Sequence, residues 1–170
     1  RGVVDRRVQD YHHVNETFNT VSSGLTRHQL DPPCKVRVVL GTDVSRVAPY
    51  AFSDYTCIVN VERPQVGFAT PYNAEATDAE AEKNKLMSIN TRAFSGCSEL
   101  RQLTLYDVDQ ISSEAFKFCW KLEHCTFSTG LTQILARAFT HTNLREVRFP
   151  KTLKELQYGA FQHNRSLKIV

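Results

Sequence analysis

Apolar residues recur along this chain at a long, fixed interval rather than at the short period of a single helix or strand. An Ala-Phe pair stands at Ala51-Phe52, Ala93-Phe94, Ala115-Phe116, Ala138-Phe139 and Ala160-Phe161, with successive phenylalanines 42, 22, 23 and 22 residues apart. Five residues ahead of each Phe is an aliphatic residue (Val47, Ile89, Ile111, Ile134, Leu156), and three ahead of that another (Val44, Leu86, Val108, Leu131, Leu153). Behind each pair the pattern changes to alternation: Leu100, Leu103 and Leu105, then Leu122, Cys125 and Phe127, then Leu144, Val147 and Phe149. Val38 and Leu40 fill two of these slots ahead of the first pair, and Leu167 and Val170 follow the last.

Alternation of this kind predicts a short strand with one apolar face. Such a strand cannot bury that face alone. Chain turns stacked with equivalent residues superposed set each strand beside the next, about 4.8 Å apart, and pile the phenylalanines into an interior column. The expected strands are 36–41, 57–62, 101–106, 123–128, 145–150 and 167–170. The small Ala before each Phe suits a tight convex turn where a larger side chain would crowd the next coil.

The units Ile89-x-x-x-Ala93-Phe94-x-x-Cys97-x-x-Leu100 and Ile111-x-x-x-Ala115-Phe116-x-x-Cys119-x-x-Leu122 resemble the BspA-like class of leucine-rich repeats. That class reads Ile-Gly-x-x-Ala-Phe-x-x-Cys-x-x-Leu-x-x-Val-x-Ile-Pro, and Phe149-Pro150 matches its ending. The resemblance spans roughly residues 34–170. It implies a leucine-rich-repeat solenoid of about five coils, with parallel strands on the concave face and irregular or short helical turns on the convex one. It also implies a protein-binding role. Proteins of this class occur on microbial and protist cell surfaces, often as adhesion-like proteins, and also inside cells, so the compartment stays open. Departures are Asn90, Ser112 and Leu135 in place of the usual Gly, Asn164 in the Cys slot, and a fourth unit one residue shorter before its Leu.

The domain reading is a helical N-terminal flank or cap over 1–30 and a repeat domain over 31–170, interrupted at about 63–85. In the flank Val4, Val8, Tyr11, Phe18 and Val21 fall mostly at helical spacings, and Ser22-Ser23-Gly24 reads as a stop. It would cap the first coil or serve as a partner helix. The Ala- and Glu-rich stretch about 63–85 is an inserted loop or short helix, or one degenerate coil. The chain opens at Arg1 without an initiator Met, which reads as a processed product or part of something longer. Its last strand reaches Val170 with no visible cap, so further chain or another chain is expected to cover that edge.

Slot counting puts Arg37, Val39, Asn60, Glu62, Gln102, Thr104, Tyr106, His124, Thr126, Ser128, Glu146, Arg148 and Ile169 on the solvent side of the strands. The central members, Gln102, Thr104, Tyr106, His124, Thr126, Glu146 and Arg148, form the candidate protein-binding face, or else an ordinary solvated sheet. His124 and Glu146 should be neighbours, as should Thr126 and Arg148. A base oriented by a carboxylate is the chemistry this would suggest, but no nucleophile stands in a strained elbow beside them and an open face does not exclude water. No catalytic residue, cofactor or metal site is expected.

Five cysteines occur without a Cys-x-x-Cys pair. Cys97 and Cys119 share one interior slot and Cys125 a strand slot; buried free thiols suit all three, although Cys97 and Cys119 could be bridged. Cys34 and Cys57 could pair in an oxidising compartment. His12, His13 and His28 diverge too far for a shared metal without help. Of the two sequons, Asn164 falls in the inward slot and should bond the turn backbone, while Asn15 lies in the flank.

A net charge of +3 and a pI near 8.6 fall short of a nucleic-acid-binding signature, and no apolar run reaches the ~20 residues of a membrane span. From Arg137 to Val170 there are seven Lys or Arg against two Glu, a layout that would steer an acidic partner. The expected function is a non-catalytic protein–protein interaction or scaffolding module within a larger assembly, which the slot-filling cysteines and bare end would suit in an intracellular setting. The alternative is a cell-surface or secreted adhesin-type recognition protein.

Overall fold

The computed structural model describes residues 9–11, 20–21, 35–41, 44, 46–63 and 86–169. Two parallel sheets face each other across one core. The first holds β1 (Gln9–Tyr11), β3 (Val36–Val39), β5 (Ile58–Arg63), β7 (Gln102–Leu105), β9 (His124–Phe127), β11 (Glu146–Val147) and β13 (Lys168–Ile169), in that order. The second holds β2 (Thr20–Val21), β4 (Arg46–Val47), β6 (Leu86–Ile89), β8 (Val108–Ile111), β10 (Gln133–Ile134) and β12 (Glu155–Leu156). Each coil crosses from one sheet to the other and returns, a parallel-strand solenoid of leucine-rich-repeat type.

The core is the column expected from the repeat. Phe52, Phe94, Phe116, Phe139 and Phe161 stack face to face, with centroids 4.9, 5.3, 5.2 and 5.1 Å apart and planes within 9°. Around them Val47, Ile89, Ile111 and Ile134 on one side and Val61, Leu103 and Val147 on the other have no solvent exposure. Removing each large apolar side chain from water contributes about 1.5–3 kcal/mol, the main stabilising term in a chain of such short strands.

The Ala-Phe corner is a ladder of its own. The N–H of Phe52 donates to Ala93 O (2.7 Å), Phe94 to Ala115 O (2.8 Å), Phe116 to Ala138 O (2.8 Å) and Phe139 to Ala160 O (2.7 Å). The residues two before and two after each Phe take positive φ: Tyr50 and Asp54, Arg92 and Gly96, Glu114 and Phe118, Arg137 and His141, Gly159 and His163. Every coil thus turns twice through the left-handed region, which costs a side-chain-bearing residue about 1–2 kcal/mol. Ala93, Ala115 and Ala138, fully buried, sit where the turns press closest.

Several expectations need correction. Of the flank expected to be helical over 1–30, Gln9–Tyr11 and Thr20–Val21 are strands that pair with β3 and β4. Tyr11 and Val21 therefore join the ladders; Val4, Val8, Phe18 and the Ser22–Gly24 stop lie outside the described residues. The convex side is a second sheet of two- to four-residue strands, and no helix occurs among the described residues. The physical reason is the aliphatic-x-x-aliphatic spacing, which at two or three residues per stretch is too short for a helix nucleus and is satisfied by pairing with the same stretch one coil away.

Arg63, placed at the start of the interruption, instead closes β5 in register with Leu105 and is fully buried, its guanidinium donating to the Gly41 carbonyl. Residues 64–85 lie outside the described residues, yet β5 pairs directly with β7 and β4 with β6, so no coil stands between them. At the far end Lys168 pairs with Glu146 and Ile169 with Val147, so Lys168 rather than Ile169 stands in the row facing solvent. The short fourth unit shifts the register by that one residue. The edge at Val170 is outside the described residues.

Truncating Phe116, which has a ring on either side, should cost about 3–5 kcal/mol as Phe116→Ala. Phe161→Ala at the half-buried end of the column should cost distinctly less. Urea unfolding of the two variants measures both, and equal losses would contradict a column that is tightest at its middle.

Candidate functional site

The strand register sorts the outward side chains of the first sheet into rows. Arg37, Asn60, Gln102, His124, Glu146 and Lys168 are successive partners along one row. Val39, Glu62, Thr104 and Thr126 form the next. Gln102, His124, Thr126, Glu146 and Arg148 are exposed, and Thr104 and Tyr106 half-buried. The seven residues singled out as a face therefore lie on adjacent strands of one sheet, with Tyr106 and Arg148 just past the ends of β7 and β11.

The rows are not uniform. β9 and β11 pair only at His124 and Glu146, so the ladder opens beyond that point and Thr126 and Arg148 are not register partners as expected. They instead share the rim of a hollow of about 410 Å³ lined by His124, Cys125, Thr126, Phe127, Glu146 and Arg148. Cys125 and Phe127 take inward slots, yet the opening leaves both only half-buried. Phe127 leans edge-on against Phe139 (5.7 Å, 61°), and Phe149 does the same to Phe161 (5.5 Å, 68°). The result is an apolar floor with a polar rim.

Arg148 Nε donates to Glu146 Oε1 at 2.7 Å. That carboxylate is thus engaged by a guanidinium rather than orienting His124. Both partners are exposed, so the pair contributes no more than about 0–1 kcal/mol and is free to exchange for an incoming group. Elsewhere on this sheet Arg37 pairs with Glu62 diagonally across β3 and β5.

The interior Cys slot has a definite job. Cys97 Sγ donates to Phe52 O (3.1 Å) and Cys119 Sγ to Phe94 O (3.3 Å), each reaching the phenylalanine carbonyl of the coil before. Asn164 in the same slot donates from Nδ2 to Phe139 O (2.8 Å) and Phe161 O (2.9 Å), as its inward position predicted. Cys97, Cys119 and Cys125 are free thiols. Burial pushes all three up: Cys97 and Cys119 well above the ordinary thiol range, with Cys119 adding to the effect on Cys97, and Cys125 to about 12. Cys57 is disulfide-bonded. Cys34, His12, His13, His28 and Asn15 lie outside the described residues.

The matching profile is that of the BspA type leucine rich repeat region, with six copies over residues 72–168. The chain belongs to this family. No curated protein matches its sequence. Among solved structures, this leucine-rich-repeat protein is similar to the pneumococcal vaccine antigen PcpA, at 21% identity over 94% of this chain and 33% of that one, TM-score 0.62. It is similar too to the leucine-rich-repeat protein TpLRR of T. pallidum, at 22% identity over 92% of this chain and 66% of that one, TM-score 0.69. A leucine-rich cell surface protein of Faecalibacterium prausnitzii shares 18% identity over 95% of this chain and 49% of its own, TM-score 0.53. The chain spans from about a third to two thirds of their lengths, and the likeness is one of fold.

Two features of the surface escaped sequence reasoning. One is the gap between β9 and β11. The other is a group of rings on the turn side, exposed Phe118, Trp120 and His163 with half-buried His141 among them. Phe118, His141 and His163 all fall two residues after an Ala-Phe, so aligning the repeats would have exposed the column.

The thiols give a pH prediction. Unfolded cysteines ionise near pH 8.5, whereas the buried ones hold their protons well above it, so the unfolded state releases protons first as pH rises. Their contribution is complete below about pH 8.5 and declines above it, by up to about 1.4 kcal/mol per pH unit for each thiol. Stability measured by urea unfolding at pH 7.5 and 9.5 should fall less in Cys97→Ala than in the parent. An identical fall in both would rule out the thiol as its source.

Proposed function

We propose that this chain is a non-catalytic recognition module that binds another protein through the strand face, centred on the hollow between β9 and β11. The carrying observation is that hollow: half-buried Cys125 and Phe127 as an apolar floor, and His124, Thr126, Glu146 and Arg148 as a polar rim. A desolvated centre ringed by exchangeable polar groups is the usual anatomy of a protein interface. The family supports a binding role in general terms. Among the described residues no group of three or more His, Cys, Asp or Glu side chains could hold a metal, and no helix is long and apolar enough to cross a membrane.

Of the two settings, the cell-surface or secreted one is favoured over the intracellular scaffold. The disulfide at Cys57 is chemistry of an oxidising compartment. The slot-filling thiols are compatible with that compartment, because burial keeps Cys97 and Cys119 protonated and out of reach of exchange. PcpA, a vaccine antigen, and the cell surface protein of F. prausnitzii add support of the same kind.

The test is a triple substitution, Tyr106→Ala, His124→Ala and Arg148→Ala, probed against an array of secreted and cell-surface ectodomains beside the parent chain. Binders of the parent should lose at least ~10-fold in affinity, about 1.4 kcal/mol, while Tm stays within about 2 °C. Undiminished binding by the triple variant, or no ectodomain bound by the parent, would overturn the assignment.

A further inference from the structure

On the turn side of the molecule a second, chemically different surface is built by the left-handed corner two residues after each Ala-Phe. In coil order that corner holds Asp54, Gly96, Phe118, His141 and His163, with φ of 62°, 77°, 62°, 58° and 62°. Glycine adopts this conformation without steric penalty and histidine is enriched in it, whereas a phenylalanine there is uncommon. Three successive coils nevertheless carry rings. Rings at the same corner of three successive coils direct attention to the surface they build.

The rings form one continuous group. Phe118 lies 5.2 Å from His141 (27°), and His141 lies 4.2 Å from His163 (8°), a ladder stacked along the solenoid axis. Trp120 joins from the side, 5.5 Å from Phe118 and 5.3 Å from His141. Phe118 remains 37% exposed and Trp120 54%. Beside them a hollow of about 260 Å³ is lined by Trp120, His141, Thr142, Asn143, His163 and Arg165.

The orientation selects the partner. Rings stacked on one another along the axis turn their edges outward, and the edges of an aromatic ring carry the positive lobe of its quadrupole. Sugar rings pack on open aromatic faces, and the ladder uses most of its faces internally. Outward edges suit carboxylates and the faces of a partner's aromatic side chains. Charge points the same way. Lys117 sits 5.0 Å from the Phe118 ring centroid while pairing with Glu114, and Arg165 is exposed at the rim. Desolvation, the neighbouring His163 and Lys117 all lower the proton affinity of His141.

We propose that the Phe118–Trp120–His141–His163 ladder and its hollow are a docking site for an acidic peptide segment bearing an aromatic residue, independent of the strand face. The partner's ring would enter the hollow between Trp120 and Arg165, and flanking carboxylates would meet Arg165 and the imidazole N–H groups.

Trp120 is the single tryptophan of the chain, so its fluorescence reports on the site directly. The probes are three synthetic peptides of equal length, one of Asp and Glu around a central Phe, one with that Phe replaced by Ala, and one with Lys for every acid, and in addition a heparin-derived oligosaccharide. The acidic Phe peptide should saturably change Trp120 emission, with the Ala peptide at least tenfold weaker and the Lys peptide silent. Arg165→Glu and His163→Ala should each weaken it at least fivefold, and rising salt should weaken it further. The Tyr106→Ala, His124→Ala, Arg148→Ala variant should bind the peptide as the parent does, which separates this site from the strand face. No emission change up to millimolar peptide, equal binding of the Phe and Ala peptides, or tighter binding of the oligosaccharide would each overturn the proposal.

Discussion

One phenylalanine ring per coil, laid flat on the ring of the coil before, sets the dimension to which every other part conforms. Stacked rings prefer separations close to those in the column, 4.9–5.3 Å, and hydrogen-bonded strands lie about 4.8 Å apart. The two spacings nearly coincide, so apolar stacking in the interior and backbone pairing in both sheets are satisfied together. Tight corners follow from this. With coils this close, the residue before each ring must be small, and the chain must reverse through two left-handed positions whose N–H groups reach the adjoining coil.

Inside that frame the side chains divide by direction. Those pointing inward are repeated: Ile89, Ile111 and Ile134 in one column, Leu100, Leu122 and Leu144 in another. Those pointing outward vary from coil to coil, and neighbours on adjoining coils form local combinations such as the Arg37–Glu62, Arg92–Glu114 and Lys121–Glu99 pairs. Recognition can therefore be written on the outside with little effect on the packing inside. The gap between β9 and β11 is the place where the two layers meet, since there an interior Phe127 and Cys125 become reachable from the strand face.

Most of the frame was legible from residue spacing, because a period of about two dozen residues with apolar slots at fixed offsets has few ways to bury itself. The phenylalanine column, the strand rows up to β11 and the inward role of Asn164 follow from that period alone. Where the flank is described it is not helical: Tyr11 and Val21 satisfy a helical spacing in isolation, but their backbone finds partners in β3 and β4, and there pairing across coils outweighs local periodicity. Arg63 was misplaced because a charged residue in a Leu slot reads as the end of a strand, whereas its guanidinium reaches the Gly41 carbonyl from within the core. The hollow on the strand face was invisible for a different reason. It comes from a missing stretch of pairing, and slot patterns carry no mark of where a ladder fails.

The slot two carbonyls deep in each corner shows how such a protein can change its letters and keep its form. A thiol at Cys97 and Cys119 and an amide at Asn164 all answer the same acceptor, a phenylalanine carbonyl one coil away. What those corners share is the direction of a donor, not the identity of an amino acid. Different donors can thus meet one backbone acceptor without disturbing the coil that carries them.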